Sequence, residues 1–485
     1  MSAPVAPARR ALLPTVLVAA ALLYPLAFLL VALARLGHPF ELEWMEGGTL
    51  DQVHRLVAGR PMYVAPSLDF ISFEYTPLYY WTAAQAARVL GAGFVPLRLV
   101  SLLAALGSLL LLFVLARRET KSTAAGLLAA SLFAATYRLG GAWLDIGRPD
   151  SLYLLFVLGG FLAYRALAGA RGAALAGVLF AAGFLAKQTA LVIALPLALH
   201  ALLADRRRFA AFAGTLAALV VGSTLVLDRA THGWYTYYIF GVALGHRPEA
   251  GLVARFWSDD LGAHLAIAAL LAAWFLRSAG AGRGFHLALA AGLVGAAWWL
   301  RCFRGSYDNA LLPGLAGVSL LASAGWHDLR RRLEPGAAAF LHIALLAQLA
   351  LLVWNPLDQI PTRADREAGE RLIEHIRAVP GPVLVPAHPW LAERAGKGGS
   401  FHEMALVDVT ERRGHGALED SLTAGLARAL AAHRWAALVL DTRDWIADDA
   451  APYYEPRLRA FSSDTVFWSR TGMLTRPETV LFPKP

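Results

Sequence analysis

"ALLPTVLVAAALLYPLAFLLVALARLGHPFELEWMEGG", residues 11–48, joins a long apolar run to a cluster of acids. About 20 mostly apolar residues suffice to cross a bilayer, and residues 12–35 supply them. Arg9 and Arg10 stand before the run. Glu41, Glu43, Glu46 and Asp51 follow it within eleven positions. The chain around this stretch is 57% hydrophobic and only 16% charged, with a mean hydropathy of +0.50. That balance excludes an ordinary soluble domain and implies a polytopic membrane protein. The stretch therefore reads as a first membrane helix that delivers carboxylates to one face. "ALA" at 32–34 has the look of a signal-peptidase site, but the run ahead of it is long for a signal peptide, so the helix is read as retained.

Ten more apolar runs follow, at 96–116, 122–138, 150–168, 172–187, 188–204, 209–227, 261–277, 285–300, 309–326 and 337–354. Every second connection is basic: "ARRETKS" (116–122), "RALAGARG" (165–172), "ADRRRF" (204–209), "RSAGAGRG" (277–284) and "HDLRRRLEP" (327–335). Cytoplasmic loops carry such an excess of Lys and Arg. Eleven spans with a cytoplasmic N-terminus satisfy this rule at all five turns. The net charge of +9 is thus a topology signal and gives no reason to expect nucleic acid. With a single cysteine, Cys302, neither an intrachain disulfide nor a cysteine metal cluster is available.

The other face collects 36–95, 139–149, the junction at Lys187, 228–260, 301–308 and the tail 356–485. Leu50, Val53 and Val57 recur at helical spacing, so 44–58 is predicted to be an amphipathic helix, with Glu43 and Glu46 along one edge. The stretch 74–93 would invert the basic turns if it crossed. It is read as an interfacial helix with Tyr75, Tyr79, Tyr80 and Trp81 at headgroup level. From Pro356 the long apolar runs stop. "PVLVP" (382–386) and "WAALVLD" (435–441) read as strands, with helices over 364–379 and 417–433. The predicted architecture is an all-α polytopic membrane domain over 1–355, with outer amphipathic helices, and a small soluble α/β domain over 356–485. In the tail, Asp441 at a strand end and His388 are candidate site residues, but the preferred reading is strand-end turn polars.

Ionisable residues on the outer face are the site candidates. Asp145, Arg148 and Asp150 lie in "WLDIGRPDSLYLLF" (143–156), and Asp150 is also placed to cap a helix. Lys187 interrupts an apolar stretch, and Arg301 and Arg304 sit at the outer end of another. Charges at such depth are costly and mark function. Carboxylates facing Lys and Arg suit a phosphate-bearing substrate and a hydroxyl: the cations hold the phosphate and a carboxylate takes the proton. Acids from two loops could also hold one divalent cation.

The ordered set now resembles the GT-C superfamily of membrane glycosyltransferases. "ELEWMEGG" stands at the first-loop acidic motif. "AGRPMY" (58–63) and "FEYTPLYYW" (73–81) follow, with Gly59, Tyr63, Tyr75 and Pro77 at matching positions; "DIGRPDSL" and "FLAKQTAL" come after. The similarity to protein O-mannosyltransferases, aminoarabinose transferases and GPI mannosyltransferases covers about residues 10–320. It implies transfer of a hexosyl or pentosyl group from a polyprenyl-phosphate carrier to an acceptor hydroxyl on the outer face of the plasma (inner) membrane, with inversion. It implies a first-loop acid as base or metal ligand. Glu stands here where Asp is common in the family, which leaves Glu43, Glu46 and Glu41 open as the base and the need for a divalent metal ion open as well; Glu43 is the first choice, Glu46 and Asp145 are its partners or ligands of the ion, and Glu41 is otherwise a loop acid. Arg148, Asp150, Lys187, Arg301, Arg304, Tyr63, Tyr75 and Tyr307 would bind substrate. The acceptor, whether glycan, lipid or protein, is not read from the chain. The rival reading is a transporter or flippase of lipid-linked sugars. Against it, no inverted repeat or matching pair of Gly/Pro-broken spans is visible.

Overall fold

The structure is a computed structural model that describes residues 7–303, 305–412 and 416–485. A helix occupies each of the eleven apolar runs: α1 (Pro7–Leu36), α4 (Phe94–Thr120), α5 (Thr123–Ala135), α6 (Asp150–Ala166), α7 (Gly169–Ala186), α8 (Thr189–Ala204), α9 (Arg206–Ala230), then Ala263–Ser278, Arg283–Arg301, Leu312–Arg332 and Pro335–Leu351. Between α1 and α4 lie α2 (Glu46–Val57) and α3 (Leu78–Leu90). Among the described residues, six helical stretches are long and apolar enough to cross a membrane unaided. A seventh would need Pro335–Leu351 joined across a 44° bend to Pro356–Ala378. The charged, amphipathic helix Arg363–Ala378 is a poor partner for such a span. The shortest run is α5. Its 13 residues rise only about 20 Å against a hydrocarbon core of about 30 Å. The chain that follows folds back into the protein, burying Tyr137, Trp143, Asp145 and Ile146. Irregular backbone at that depth is stable only where protein covers it.

The basic turns gather at one end of the bundle. Glu119 binds Arg165 at 2.8 Å and His286 at 3.1 Å, which ties the turns after α4 and α6 to the one before Arg283–Arg301. Arg208, at the start of α9, donates to the Tyr164 carbonyl. Asp328 accepts from Trp274 Nε1 at 3.0 Å and Ser278 Oγ at 2.9 Å, which adds the last turn. The alternation read from charge is therefore a spatial fact: five basic turns at one end, the acidic loops at the other.

Helix Ala263–Ser278 is kinked at Leu265 (φ −132°, ψ 22°). Gln348 of Pro335–Leu351 explains how the kink survives. Its Oε1 accepts from Ile267 N at 3.2 Å, and its Nε2 donates to the His264 carbonyl at 2.5 Å. The side chain replaces the backbone partners that the kink removes.

The tail carries a four-stranded sheet in the order β1-β2-β4-β3: β1 (Val383–Leu384), β2 (Ala437–Asp441), β3 (Tyr454–Arg459) and β4 (Pro477–Pro483). β1 and β2 are parallel, with helix Ala417–Ala431 between them in the chain; β4 is antiparallel to both β2 and β3. β3 and β4 were not read from the sequence. β3 is mostly exposed, so it lacks the apolar run that marked β1 and β2.

This domain docks directly on the first acidic loop. Arg470 N donates to the Leu42 carbonyl at 2.7 Å, and Arg394 Nη1 to the Pro39 carbonyl at 2.9 Å. Trp390 presses on Gly47, where an added Cβ would lie 1.9 Å from the indole. His388 joins the two parts by polar contact, binding Glu41 through Nδ1 and Asp441 through Nε2 at 3.0 Å. His388 and Asp441 are therefore not turn polars, and Glu41 is not a solvated loop acid. Burial opposes a charge on His388, but the two carboxylates outweigh it and hold the imidazole well above its ordinary range.

Candidate active site

Opposite the basic turns is a cavity of about 440 Å³, lined by Glu43, Tyr75, Arg148, Lys187, Tyr307 and Asn309 among others. Each polar group arrives by a different route. Glu43 lies just before α2, where its carbonyl accepts from Glu46 N at 2.8 Å. Tyr75 precedes α3. Its carbonyl accepts from the Tyr63 hydroxyl at 2.7 Å, so Tyr63 positions Tyr75 from behind and does not line the cavity. Arg148 comes from the buried loop that follows the short α5, and Asp150 is the first residue of α6. Lys187 is the hinge between α7 and α8.

These groups form two linked ion pairs. Arg148 Nη1 is 2.9 Å from Glu43 Oε2, and Arg148 Nη2 donates to the Tyr75 hydroxyl at 3.0 Å. Lys187 Nζ is 2.6 Å from Asp150 Oδ1, which also accepts from Asn309 Nδ2 at 3.1 Å. Trp143 Nε1 donates to the other Asp150 oxygen at 3.1 Å. Asp150 makes no capping bond to its helix; its carboxylate holds the lysine. Arg148 and Lys187 both lie over the Tyr75 ring, at 5.3 and 5.6 Å.

Glu43 stands out electrostatically. It is fully buried, and its Oε1 has no hydrogen-bond partner. Gly472 of the tail closes over it. Gly472 has φ +71°, and a Cβ there would lie 3.0 Å from Glu43 Oε1. Burial pushes the Glu43 carboxyl up to about 7, against the pull of Arg148. The surroundings of this near-neutral carboxyl are therefore built jointly by the first loop and the tail.

Other sequence candidates lie elsewhere. Glu46 does not share an edge with Glu43, since α2 begins only at Glu46. Arg98 grips its carboxylate at 2.7 and 2.8 Å, while Leu42 N and Gly147 N donate at 2.9 and 2.8 Å. Burial raises this carboxyl, but Arg98 and the two amides outweigh it and hold it below the usual range. Asp145 is bound by both Arg35 Nε and Nη2 at 2.7 Å and by the Tyr137 hydroxyl at 2.8 Å. Neither acid lines the cavity, and neither fits a metal ligand, because guanidinium groups already saturate them. Among the described residues, the one group of three side-chain ligands within reach of a single ion is Asp51, His54 and Glu393.

Arg301 turns to Asp260 at 3.0 Å and Asp308 at 3.1 Å, and it lines a neighbouring polar cavity of about 280 Å³. Arg304 lies outside the described residues. Tyr79 and Tyr80 are covered by protein and do not face lipid headgroups; the Tyr79 hydroxyl donates to the Leu97 carbonyl at 2.8 Å. Met404 and Asp408 of the tail also line the Glu43 cavity, and nothing in the sequence pointed to them.

The fold is that of a multi-pass helical membrane protein, and it is one shared with proteins of the GT-C architecture that the sequence resembles. A family model described as dolichyl-phosphate-mannose-protein mannosyltransferase matches residues 74–231. Structures of ArnT from Cupriavidus metallidurans share the fold over 95% of this chain and 97% of theirs. The TM-score is 0.60 for the apo state, at 12% identity, and 0.58 for the form bound to undecaprenyl phosphate, at 13%. The archaeal oligosaccharyltransferase AglB from Archaeoglobus fulgidus, in complex with an inhibitory peptide and a dolichol-phosphate, matches with a TM-score of 0.50 at 12% identity. That match covers 86% of this chain and 69% of AglB. No curated protein sequence matches.

Proposed function

We propose that this protein transfers a sugar from a polyprenyl-phosphate carrier to an acceptor hydroxyl, in the Glu43 cavity. The cavity faces the outer side of the plasma (inner) membrane, with the basic turns in the cytoplasm. The observation that carries the reading is the pairing of a buried, near-neutral carboxyl with Arg148 and Lys187 in one cavity. The fold shared with ArnT and AglB, whose structures hold undecaprenyl phosphate and dolichol-phosphate, supports it.

Glu43 accepts the proton of the acceptor hydroxyl as its oxygen attacks the anomeric carbon. The carbon–oxygen bond to the carrier phosphate breaks on the opposite side, so the configuration inverts. The phosphate departs with the bonding pair and gains negative charge. Protonation of Glu43 releases Arg148 from its ion pair at that moment, leaving Arg148 and Lys187 to hold the phosphate. The reaction therefore moves the counter-charge of Arg148 from protein to product. Purified protein in lipid, given polyprenyl-phosphate sugars and candidate acceptors, should release the sugar and leave polyprenyl phosphate. Vectorial movement of intact donor with no sugar released would replace this reading with a flippase.

A further inference from the structure

Away from the cavity, three side chains meet where the first outer helix touches the tail. Asp51 and His54 are three positions apart on α2 and share a face. Glu393 belongs to helix Pro389–Arg394 of the tail. One ligand atom from each, two carboxylate oxygens and an imidazole nitrogen, all lie within 4.8 Å of one another. His54 Nδ1 and Glu393 Oε1 are 3.7 Å apart, too far for a hydrogen bond. Asp51 Oδ1 and His54 Nε2 are buried atoms with no hydrogen-bond partner. Two carboxylates that face each other are relieved by a shared cation.

We propose that Asp51, His54 and Glu393 form a binding site for one divalent cation of the zinc class. One imidazole and two carboxylates are a donor set that zinc accepts, whereas calcium and magnesium ask for more oxygen ligands. Bonds of about 2.0–2.2 Å require the three side chains to draw together on binding. The Glu393 side chain is 41% exposed, which leaves a solvent side for ion access and a water as fourth ligand. The ion bridges α2 to the tail and so clamps the two parts that enclose Glu43. The site does not rest on the transferase reading, because it lies outside the cavity and needs no sugar donor.

The test uses the full chain in detergent, stripped with a chelator and titrated with zinc ion. Wild type should bind one equivalent per chain and unfold at a higher temperature when loaded. Glu393→Gln, His54→Ala and Asp51→Asn should each weaken uptake at least tenfold and abolish the thermal rise. Glu393→Gln is the safeguard against misfolding, because that side chain is partly exposed. Glu43→Gln should keep the equivalent, which separates this site from the cavity. Absence of a bound equivalent in wild type, or full uptake by Glu393→Gln and His54→Ala, overturns the proposal.

Discussion

Replacing Glu43 by Gln removes a proton acceptor while keeping the side chain's shape. A positioned general base is worth roughly two to four orders of magnitude in rate, so turnover should fall by about that factor with donor affinity little changed. The structure adds a second signature. The carboxyl sits at about 7, and the working form is the ionised one, so the wild-type rate should rise with pH and level off above 7. At pH 6 about one-eleventh of the carboxyls are ionised, which makes the rate roughly tenfold below its plateau. Glu43→Gln should lose this rising limb. The assay is sugar transfer from a polyprenyl-phosphate donor between pH 5.5 and 8.5, beside a thermal melt, because Gln leaves Arg148 without its buried counter-charge. A folded Gln variant with near-normal turnover, or with the same limb, refutes the assignment.

Three further outcomes are expected. Lys187→Ala should weaken donor binding and Lys187→Glu should weaken it more, with no effect on a donor analogue that lacks phosphate; binding titrations decide this. Glu46→Gln should act on folding, not on chemistry. It strands Arg98 in a fully buried pair, at a cost of about 3–5 kcal/mol, read as a lower unfolding temperature with turnover per folded molecule retained. For topology, Cys302 is first replaced, and single cysteines are placed at the exposed positions Lys121 and Lys484. They should react with a membrane-impermeant thiol reagent from opposite sides, and labelling of both from one side contradicts the eleven-span arrangement.

The eleven helices were legible because each is an apolar run in the chain, although among the described residues only six helical stretches are long and apolar enough to cross a bilayer unaided. The site was legible in part. Glu43, Arg148, Asp150 and Lys187 were suspect as charges on the outer face, and the fold brings them together. Glu46 and Asp145 looked equivalent to Glu43, since a sequence shows acids but not their partners. Those partners are Arg98 and Arg35. Each lies at the end of an apolar run away from the basic turns, where the positive-inside rule disfavours a cation, and that misplacement was the signal available. Met404, Asp408 and Gly472 were beyond reach. They touch the site only because a domain more than 300 residues further along the chain lies on the first loop, and no local pattern reports such a contact.

The closure of Gly472 over Glu43 has a consequence for how the two parts can change. A buried carboxyl whose surroundings come from distant segments cannot be transplanted piecemeal. A chimera that carries this membrane region beneath a relative's tail would set an unmatched surface against the Glu43 carboxyl, and any side chain in place of Gly472 would displace it. The tail and the first loop should therefore drift through evolution as one unit, and grafting experiments should exchange both or neither.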